Sequence, residues 1–586
     1  MPVISFDYND LISLVGKKIK KETLVEKIPM LGADVNRVNG DEIDVEFFPN
    51  RPDLYSVEGI ARAVSSIFGY KTGLRKYDVE DSNIKLIVES SIRNVRPYVV
   101  SAVVTGINIT DSSNEFNKKT ISLQSLMDFQ EKLHITIGRN RKKVSVGIHD
   151  MKRIKPPFTY KAVDPASIRF VPLGNNEEMN LCEILQKHEK GIVFASILDG
   201  CKKYPIIIDA NNQVLSFPPI INGTITKVTS ETKDIFIDVT GTDFNAVNST
   251  LNIIVTAMAD RGGRIQSVKI QDGKKTIKTP NLSPTPMKLK CGDVNEAIGL
   301  NIPKKDIKTS LQRMGYGVED SNKNKGAKKK GAKKNKSVEK DYLNVLIPAY
   351  RCDIIHNIDL IEDVAIGYGY ENFSGQHPKS PTFGSRRSIE DFSDKLRLIM
   401  IGLGFQEVTT LTLSNEKDQS DFPSESGFPP ESGRFARIKN PITEEHTIVR
   451  TTLIPSLLNI LKINKRHNLP QKIVEIGEVV IDNANVRKIA SLGISSKSGF
   501  SDIKSTVECL LKNLNIDYGI ENKQHPAFIN GRCASINYKG KELGYFGEIH
   551  PKTIIDFELE HPINGFEIDV NRLMEAYNSI VKQGKY

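Results

Sequence analysis

The spacing of apolar and polar residues changes repeatedly along the 586-residue chain and divides it into four stretches. In residues 1–85, Glu42–Phe48 alternates in part and is rich in Val, Ile and Phe, which predicts a strand. Pro49-Asn50-Arg51-Pro52-Asp53 follows as a rigid turn, because two prolines fix φ and disfavour helix around them. Ser56–Val64 then reads as a helix ending near Gly69. Residues 86–275 mix strands and helix. Strand-like runs fall at Tyr98–Val104, Ile192–Ile197, Ile206–Ile208, Ile235–Val239 and Ile253–Ala257, with a helix at Ile121–Leu133. Pro156-Pro157, Pro218-Pro219 and Gly262-Gly263 punctuate them.

Residues 276–373 predict helices at Val294–Ile298, Lys304–Met314 and Ile354–Gly367. Two strands, Gly315–Glu319 and Tyr342–Ile347, flank a lysine-rich segment at the tip of an expected hairpin. The last stretch, 385–586, predicts a helix at Ser388–Leu403, a strand at Glu407–Leu413 and a polar loop over about 414–437. Leu453–Ile463 reads as helix, and Lys472–Ile481 and Gly544–Ile549 as strands. The whole is a mixed α/β, or α+β, multidomain chain without internal repeat.

Composition narrows the classes. Hydrophobic residues at 39% and charged residues at 26% suit several ordinary cores. No apolar run approaches the roughly 20 residues of a membrane helix, and no secretory signal is expected. Six scattered cysteines without a C-x-x-C pair suit a reducing cytoplasm, and the histidines form no zinc pattern. Eight of the lysines sit in 323–336 without an acid; without them the net charge of +10 falls to +2. Any attraction to nucleic acid is therefore concentrated there, although a solvated insertion has the same composition.

One helix carries candidate chemistry. Ile354, Ile358, Ile361 and Ala365 recur at helical spacing as one buried face. Asp353 stands where an N-cap would, and Asp359, Glu362 and Asp363 fall at i, i+3 and i+4, in one sector of the surface. Three carboxylates there repel one another, and a hard, oxygen-loving cation such as Mg2+ would relieve the repulsion. Spacing alone does not separate that reading from a solvated acidic face. On the strand before Gly241, Asp238 and Thr240 alternate and so share one side. No Ser–His–Asp or Cys–His arrangement is evident, so no covalent nucleophile is invoked.

The run R-C-D-I-I-H-N-I-D-L-I-E-D-V-A-I-G-Y-G-Y from Arg351 to Tyr370 resembles a signature of phenylalanyl-tRNA synthetase beta subunits. So do P-N-R-P-D-L-Y-S-V-E-G-I-A-R-A at Pro49–Ala63, F-P-P-I-I-N-G at Phe217–Gly223 and G-Y-F-G-E-I-H-P at Gly544–Pro551. The length is similar to that of the archaeal and eukaryotic-cytosolic type.

The resemblance implies four domains. These are a small N-terminal domain (1–85), an editing domain (86–275), a winged-helix-like Mg2+-binding domain (276–373, with the basic insertion 323–336) and a degenerate class II synthetase antiparallel core (385–586). It implies Mg2+ at Asp353, Asp359, Glu362 and Asp363, with Asp363 in place of the frequent Glu. It also implies an editing pocket at Ser216, Asp238 and Thr240 that hydrolyses tyrosine mischarged onto phenylalanine tRNA.

Asn440-Pro441-Ile442-Thr443-Glu444-Glu445 through Arg450-Thr451-Thr452-Leu453 is similar to the family's class II-like core. The arginine-bearing final class II motif and a P-loop are both missing, so ATP chemistry is expected on a separate alpha subunit, and Arg450 is expected to be structural. The implied partners are that subunit, in a heterotetramer of two alpha and two beta chains, and phenylalanine tRNA. The alternatives are a free-standing tRNA-binding or trans-editing protein of the same ancestry, or a winged DNA-binding protein. The last explains the third stretch alone.

Overall fold

The computed structural model describes residues 2–111, 119–320, 341–375, 377, 383–420, 422 and 435–582. The lysine-rich tip and most of the polar loop after 420 lie outside the described residues. The chain forms two compact units, residues 1–376 and 377–586.

The first unit opens with strands β1 (Val3–Asp7), β2 (Ala33–Asn39) and β3 (Glu42–Phe47), antiparallel in the order β1-β3-β2. Every second residue of β3 is buried, as its alternation predicts. Helices α1 (Tyr8–Val15) and α2 (Val57–Ile67) cover this sheet. Ser56 caps α2 by accepting the Gly59 N–H at 3.2 Å. A Cβ on Gly59 would lie 1.7 Å from the Asp53 carbonyl, so only glycine lets the proline-bounded turn reach the helix. Arg51 forks onto Asp53 within that turn at 2.8 and 2.9 Å, with both side chains buried.

The next sheet has eleven strands. Its main members are β4 (Lys85–Val88), β5 (Tyr98–Thr105), β6 (Val144–Asp150), β7 (Phe158–Val163), β8 (Tyr204–Ile208), β9 (Val214–Phe217), β10 (Ile221–Asn222), β11 (Ile235–Gly241) and β12 (Arg264–Asp272). They run in the order β10-β9-β8-β7-β4-β12-β5-β11-β6, and short strands at Val79–Glu80 and Lys275–Thr279 also join β12. The sheet thus reaches back before residue 85 and beyond 275. Helices α3 (Leu123–Ile135) and α4 (Phe244–Asp260) lie against it.

Two expected strands are helix instead. Ile253–Ala257 belongs to α4, capped by Asp243, which accepts the Ala246 N–H at 2.9 Å. That run is apolar and β-branched because the helix is buried on most sides, and such a run carries no period that distinguishes it from a core strand. Ile192–Ile197 forms the end of the helix Glu189–Phe194 and a 3-10 turn, with Ile192 and Val193 exposed.

Long ion pairs close this unit. Arg261, just after α4, donates to Glu58 on α2 at 2.6 Å and forks onto Asp10 on α1 at 2.7 and 2.6 Å. Glu58 is buried, and Arg261 supplies its ion-pair partner.

The last part of the unit has helices α5 (Cys291–Ile298), α6 (Lys304–Arg313) and α7 (Asn357–Tyr368). Beside them lies a sheet of β13 (Thr285–Lys290), β14 (Gly317–Asp320) and β15 (Tyr342–Ile347), ordered β13-β15-β14. β14 and β15 are antiparallel neighbours, as the hairpin expectation requires of its stem. The face expected of α7 is corrected in two places: Ile361 and Ala365 are buried, with Leu360 and Val364 beside them, but Ile358 is exposed and Ile354 is half-buried before the helix, which starts at Asn357.

The second unit is a seven-stranded sheet of β16 (Gln406–Glu407), β17 (Gln471–Ile481), β18 (Ala484–Ile494), β19 (Gly519–Asn522), β20 (Phe528–Tyr538), β21 (Lys541–Ile549) and β22 (Ile563–Asp569). The order is β16-β17-β18-β22-β21-β20-β19, antiparallel except for β16 on β17. Helices α8 (Ser388–Gly402), α9 (Ile454–Ile463), α10 (Phe500–Asn513) and α11 (Val570–Val581) contribute to its apolar cores. The strand expected over Glu407–Leu413 is reduced to two-residue strands at Gln406–Glu407 and Leu413–Ser414.

Candidate active site

All seven residues of β11 are buried, because the strand is flanked by β5 and β6 and covered by α4. A carboxylate in such a strand needs a partner, since burying it unpaired costs several kcal/mol. Asp238 has one: its Oδ2 lies 2.6 Å from His149 Nε2. On the far side, His149 Nδ1 lies 2.8 Å from Thr226 Oγ1. With the ring proton on Nε2, His149 donates to Asp238 and accepts from Thr226. The pair exists because β6 places Gly147 directly opposite Asp238. A Cβ on Gly147 would stand 2.3 Å from Asp238 Oδ2 and 2.7 Å from His149 Nε2.

Asp238 opens into a cleft of about 560 Å3. Ser216, at the end of β9, also lines it. Its hydroxyl is buried and, among the described residues, has no hydrogen-bond partner. The rest of the wall is largely apolar, including Met127, Ile148, Phe217, Ile220 and Val228. Such a cleft fits an apolar body with a polar tip.

Thr240 shares the face of Asp238 but is not in the cleft wall. Its hydroxyl accepts from Arg96 Nε at 2.9 Å and meets Ser145 Oγ at 2.9 Å. Arg96 also donates to the carbonyls of Thr240, Arg141 and Lys142. Burial lowers its pKa to about 10. Thr240 therefore braces the strand and the loop behind the cleft.

Helix α3 supplies a second charged group. Glu131 Oε2 lies 3.2 Å from His134 Nδ1 and accepts from Arg141 Nη2 at 2.9 Å. The His134 hydrogen bond, with the Arg141 charge, holds Glu131 down at about 2. Burial lowers the pKa of His134, whose Nε2 accepts the Val146 N–H at 2.9 Å. Arg141 reaches on to the Ile220 carbonyl at 2.9 Å, which fixes the wall after Pro219.

Ser216 and Asp238, expected at one pocket, line the same cleft, whereas local sequence patterns do not single out His149, Gly147 or the Glu131–His134–Arg141 group. The only hint was the alternation V-S-V-G-I-H-D, which puts Gly147 and His149 on one face of a strand.

The four acids expected to share Mg2+ are not one donor set here. Arg351 forks onto Asp353 at 2.8 and 2.7 Å and also donates to Asp363 at 2.6 Å. Tyr316 donates a further hydrogen bond to Asp363. Asp359 Oδ2 accepts the N–H groups of Ile355 and His356 at 2.8 and 2.7 Å, and the N-cap is His356 rather than Asp353. Glu362 is exposed. Among the described residues, no three His, Cys, Asp or Glu side chains gather to hold a metal. One arginine neutralises two of the acids and a helix start occupies a third.

Comparison with known proteins adds three matches to family models. Residues 375–570 match the phenylalanyl tRNA synthetase beta chain CLM domain, 287–370 the tRNA synthetase B5 domain and 95–260 the B3/4 domain. The chain is 42% identical over 575 residues to the phenylalanine–tRNA ligase beta subunit of Methanosarcina acetivorans, covering 98% of this chain and 99% of that one. It is 43% identical over 584 residues to the same subunit of Methanocaldococcus jannaschii, covering 97% and 100%. An N-terminal fragment of the phenylalanyl-tRNA synthetase beta-subunit from Pyrococcus horikoshii superposes with a TM-score of 0.56. It is 36% identical and covers 63% of this chain and 100% of the fragment.

Proposed function

This chain belongs to the phenylalanine–tRNA ligase beta-subunit family, and from that premise we propose that it supports a separate alpha subunit and clears tyrosine mischarged onto phenylalanine tRNA. The alpha subunit would carry out the ATP-dependent attachment of phenylalanine. The supporting observation is the cleft with the buried Asp238–His149 pair at one wall and the unpartnered Ser216 hydroxyl at another. A pocket for a phenyl ring rejects tyrosine imperfectly, whereas a site that hydrogen-bonds the extra hydroxyl recognises it well. Asp238 and Ser216 are suited to that hydroxyl or to placing water at the ester. In the reaction, water adds to the ester carbonyl carbon and the bond to the ribose oxygen breaks. The ribose oxygen takes a proton, leaving free tyrosine and uncharged tRNA.

The second unit suits the role of a degenerate class II core without adenylating chemistry. Its buried cations are engaged internally: Arg450 pairs with Glu475 at 2.9 Å, and Lys488 with Glu567 at 2.8 Å. Groups committed to such pairs are not disposed around the phosphates of ATP. The three-stranded sheet and helices of 285–368 suit a winged-helix-like domain. The lysine-rich tip beyond its stem is proposed to approach tRNA, and the complex is proposed to be a cytoplasmic heterotetramer.

No step is assigned to Mg2+. Binding at the four acids would require Asp353 or Asp363 to leave Arg351. A rise in Tm with Mg2+ that Glu362→Gln abolishes would restore that site.

The test of the main reading is deacylation of tyrosine-mischarged phenylalanine tRNA by the full chain with its alpha partner. Asp238→Ala should slow it strongly while charging with phenylalanine persists; clearance at the full rate would defeat the assignment. A chain that deacylates but never co-purifies with an alpha subunit would favour the free-standing alternative.

A further inference from the structure

Five arginines of the first unit line one small space, apart from the cleft. It measures about 20 Å3 and is walled by Arg51, Arg62, Arg75, Arg313 and Arg351, with Asp53 the one acid in that wall among the described residues. Arg51, Arg62 and Arg351 are each at most 6% exposed. The acids paired with these arginines are already committed. Arg51 forks onto Asp53, and Arg351 holds Asp353 and Asp363. Arg62 donates to Asp260 at 3.0 Å, and Arg75 lies 3.7 Å from the same carboxylate. Arg313 donates to the Gly367 carbonyl at 3.4 Å. Four carboxylates thus stand against five guanidinium groups, and the wall carries a surplus of positive charge.

Arg51 and Arg351 each grip a carboxylate with the edge formed by Nε and Nη2. Arg62 does not. Its Nη1 meets Tyr77 and Asp260, while its Nε and Nη2 are buried and have no hydrogen-bond partner among the described residues. Arg351 Nη1 is buried and unpartnered in the same way. Buried donors of this kind are costly unless something accepts from them. We propose that the space is a binding site for one small inorganic anion of halide size, held by the Nε–Nη2 edge of Arg62 and by Arg351 Nη1. Its volume suits a single water-sized body and is too small for a nucleotide. A water would also have to place its own protons, and the one carboxylate of the wall already takes the Arg51 fork. An acceptor-only anion has no such need, and the surplus charge draws it in. The donors are fixed beforehand. The Arg62 guanidinium stacks 3.9 Å from the centre of the Tyr350 ring, and that of Arg351 lies 5.2 Å from the centre of Tyr316. Arg62 belongs to α2 and Arg351 follows β15, so a bound anion joins the amino-terminal helix to the segment that leads into α7. Binding there stabilises the first unit.

The experiment uses the full chain and a pair of sodium salts, chloride and gluconate, at equal ionic strength. Gluconate is too large for the space and controls for screening. Chloride should raise Tm saturably, and further than gluconate does. Arg62→Lys keeps a positive charge beside Asp260 but has no Nε–Nη2 edge. It should raise the chloride concentration at half-effect by about 100-fold, the scale of two lost charge-assisted hydrogen bonds. Arg75→Gln removes charge but none of the unpartnered donors, and should raise it by no more than about tenfold. Wild-type crystals grown with bromide in place of chloride should show an anomalous peak between Arg62 and Arg351, a readout that stands even where Arg62→Lys folds poorly. Equal Tm curves in the two salts would overturn the inference, as would a half-effect concentration that Arg62→Lys leaves unchanged. The absence of a bromide peak between Arg62 and Arg351 would overturn it as well.

Discussion

Replacing Gly147 by alanine perturbs the candidate site without removing any functional group. The residue is not among those with a positive φ, so alanine strains no backbone there. The added carbon would sit 2.3 Å from Asp238 Oδ2 and 2.7 Å from His149 Nε2, both well inside contact distance. Neither group can yield alone, because each is held by the other at 2.6 Å and His149 also by Thr226. Overpacking of this kind costs about 1–3 kcal/mol, and the charge-assisted hydrogen bond at risk contributes about 1.5–3 kcal/mol. With partial relaxation, the chain should lose about 2–3 kcal/mol on denaturant unfolding. Deacylation of the tyrosine-mischarged tRNA should fall by roughly 10- to 100-fold, since each 1.4 kcal/mol is a factor of ten. Charging of phenylalanine by the complex serves as the control for folding. A Gly147→Ala variant that deacylates at the wild-type rate would refute the claim that the position of the Asp238–His149 pair matters.

Two further sets of outcomes test burial and ion pairing within each unit, away from the cleft. Arg351→Met leaves Asp353 and Asp363 buried beside one another without their shared cation, so the chain should lose about 3–5 kcal/mol, read as a lower denaturant midpoint. Arg351→Lys should rescue little of this, because an ammonium cannot fork. Burial pulls His525 down to about 4, against a Tyr545 ring at 4.9 Å. Its folded value is below the ordinary 6.5, so the stability tied to its neutral form is present above pH 6.5 and is lost as pH falls from 6.5 towards 4. His525→Phe should flatten that limb of the Tm–pH profile, and an unchanged slope would contradict it.

Local patterns made much of this legible. The alternation of Glu42–Phe48, the proline-bounded turn, the capped helix from Ser56 and the pairing of Asp238 with Thr240 on one face all follow from neighbours in sequence. What the sequence did not show depended on distant partners. Thr240 faces the right way but is engaged by Arg96, 144 residues earlier. His149 becomes a partner of Asp238 only through the register of β6 on β11, which no spacing within either strand encodes. The acidic helix looked like a cation site because the spacing of its acids was visible. Arg351, also visible, gave no sign that it folds back onto two of them. The run Ile253–Ala257 was misread for the opposite reason, since burial on most sides erases the helical period that a surface would impose.

The arginine that follows α4 also sets a timetable. Glu58 and Asp10 leave the ribosome 203 and 251 residues before Arg261, which ties them down. At about 5–20 residues per second, that is a delay of roughly 10–50 s. For that interval the first 85 residues hold a buried-site carboxylate with no counter-charge. The amino-terminal domain is therefore a late finisher, although it is made first. A fragment cut at its apparent boundary should fold poorly, for want of one side chain from another part of the molecule.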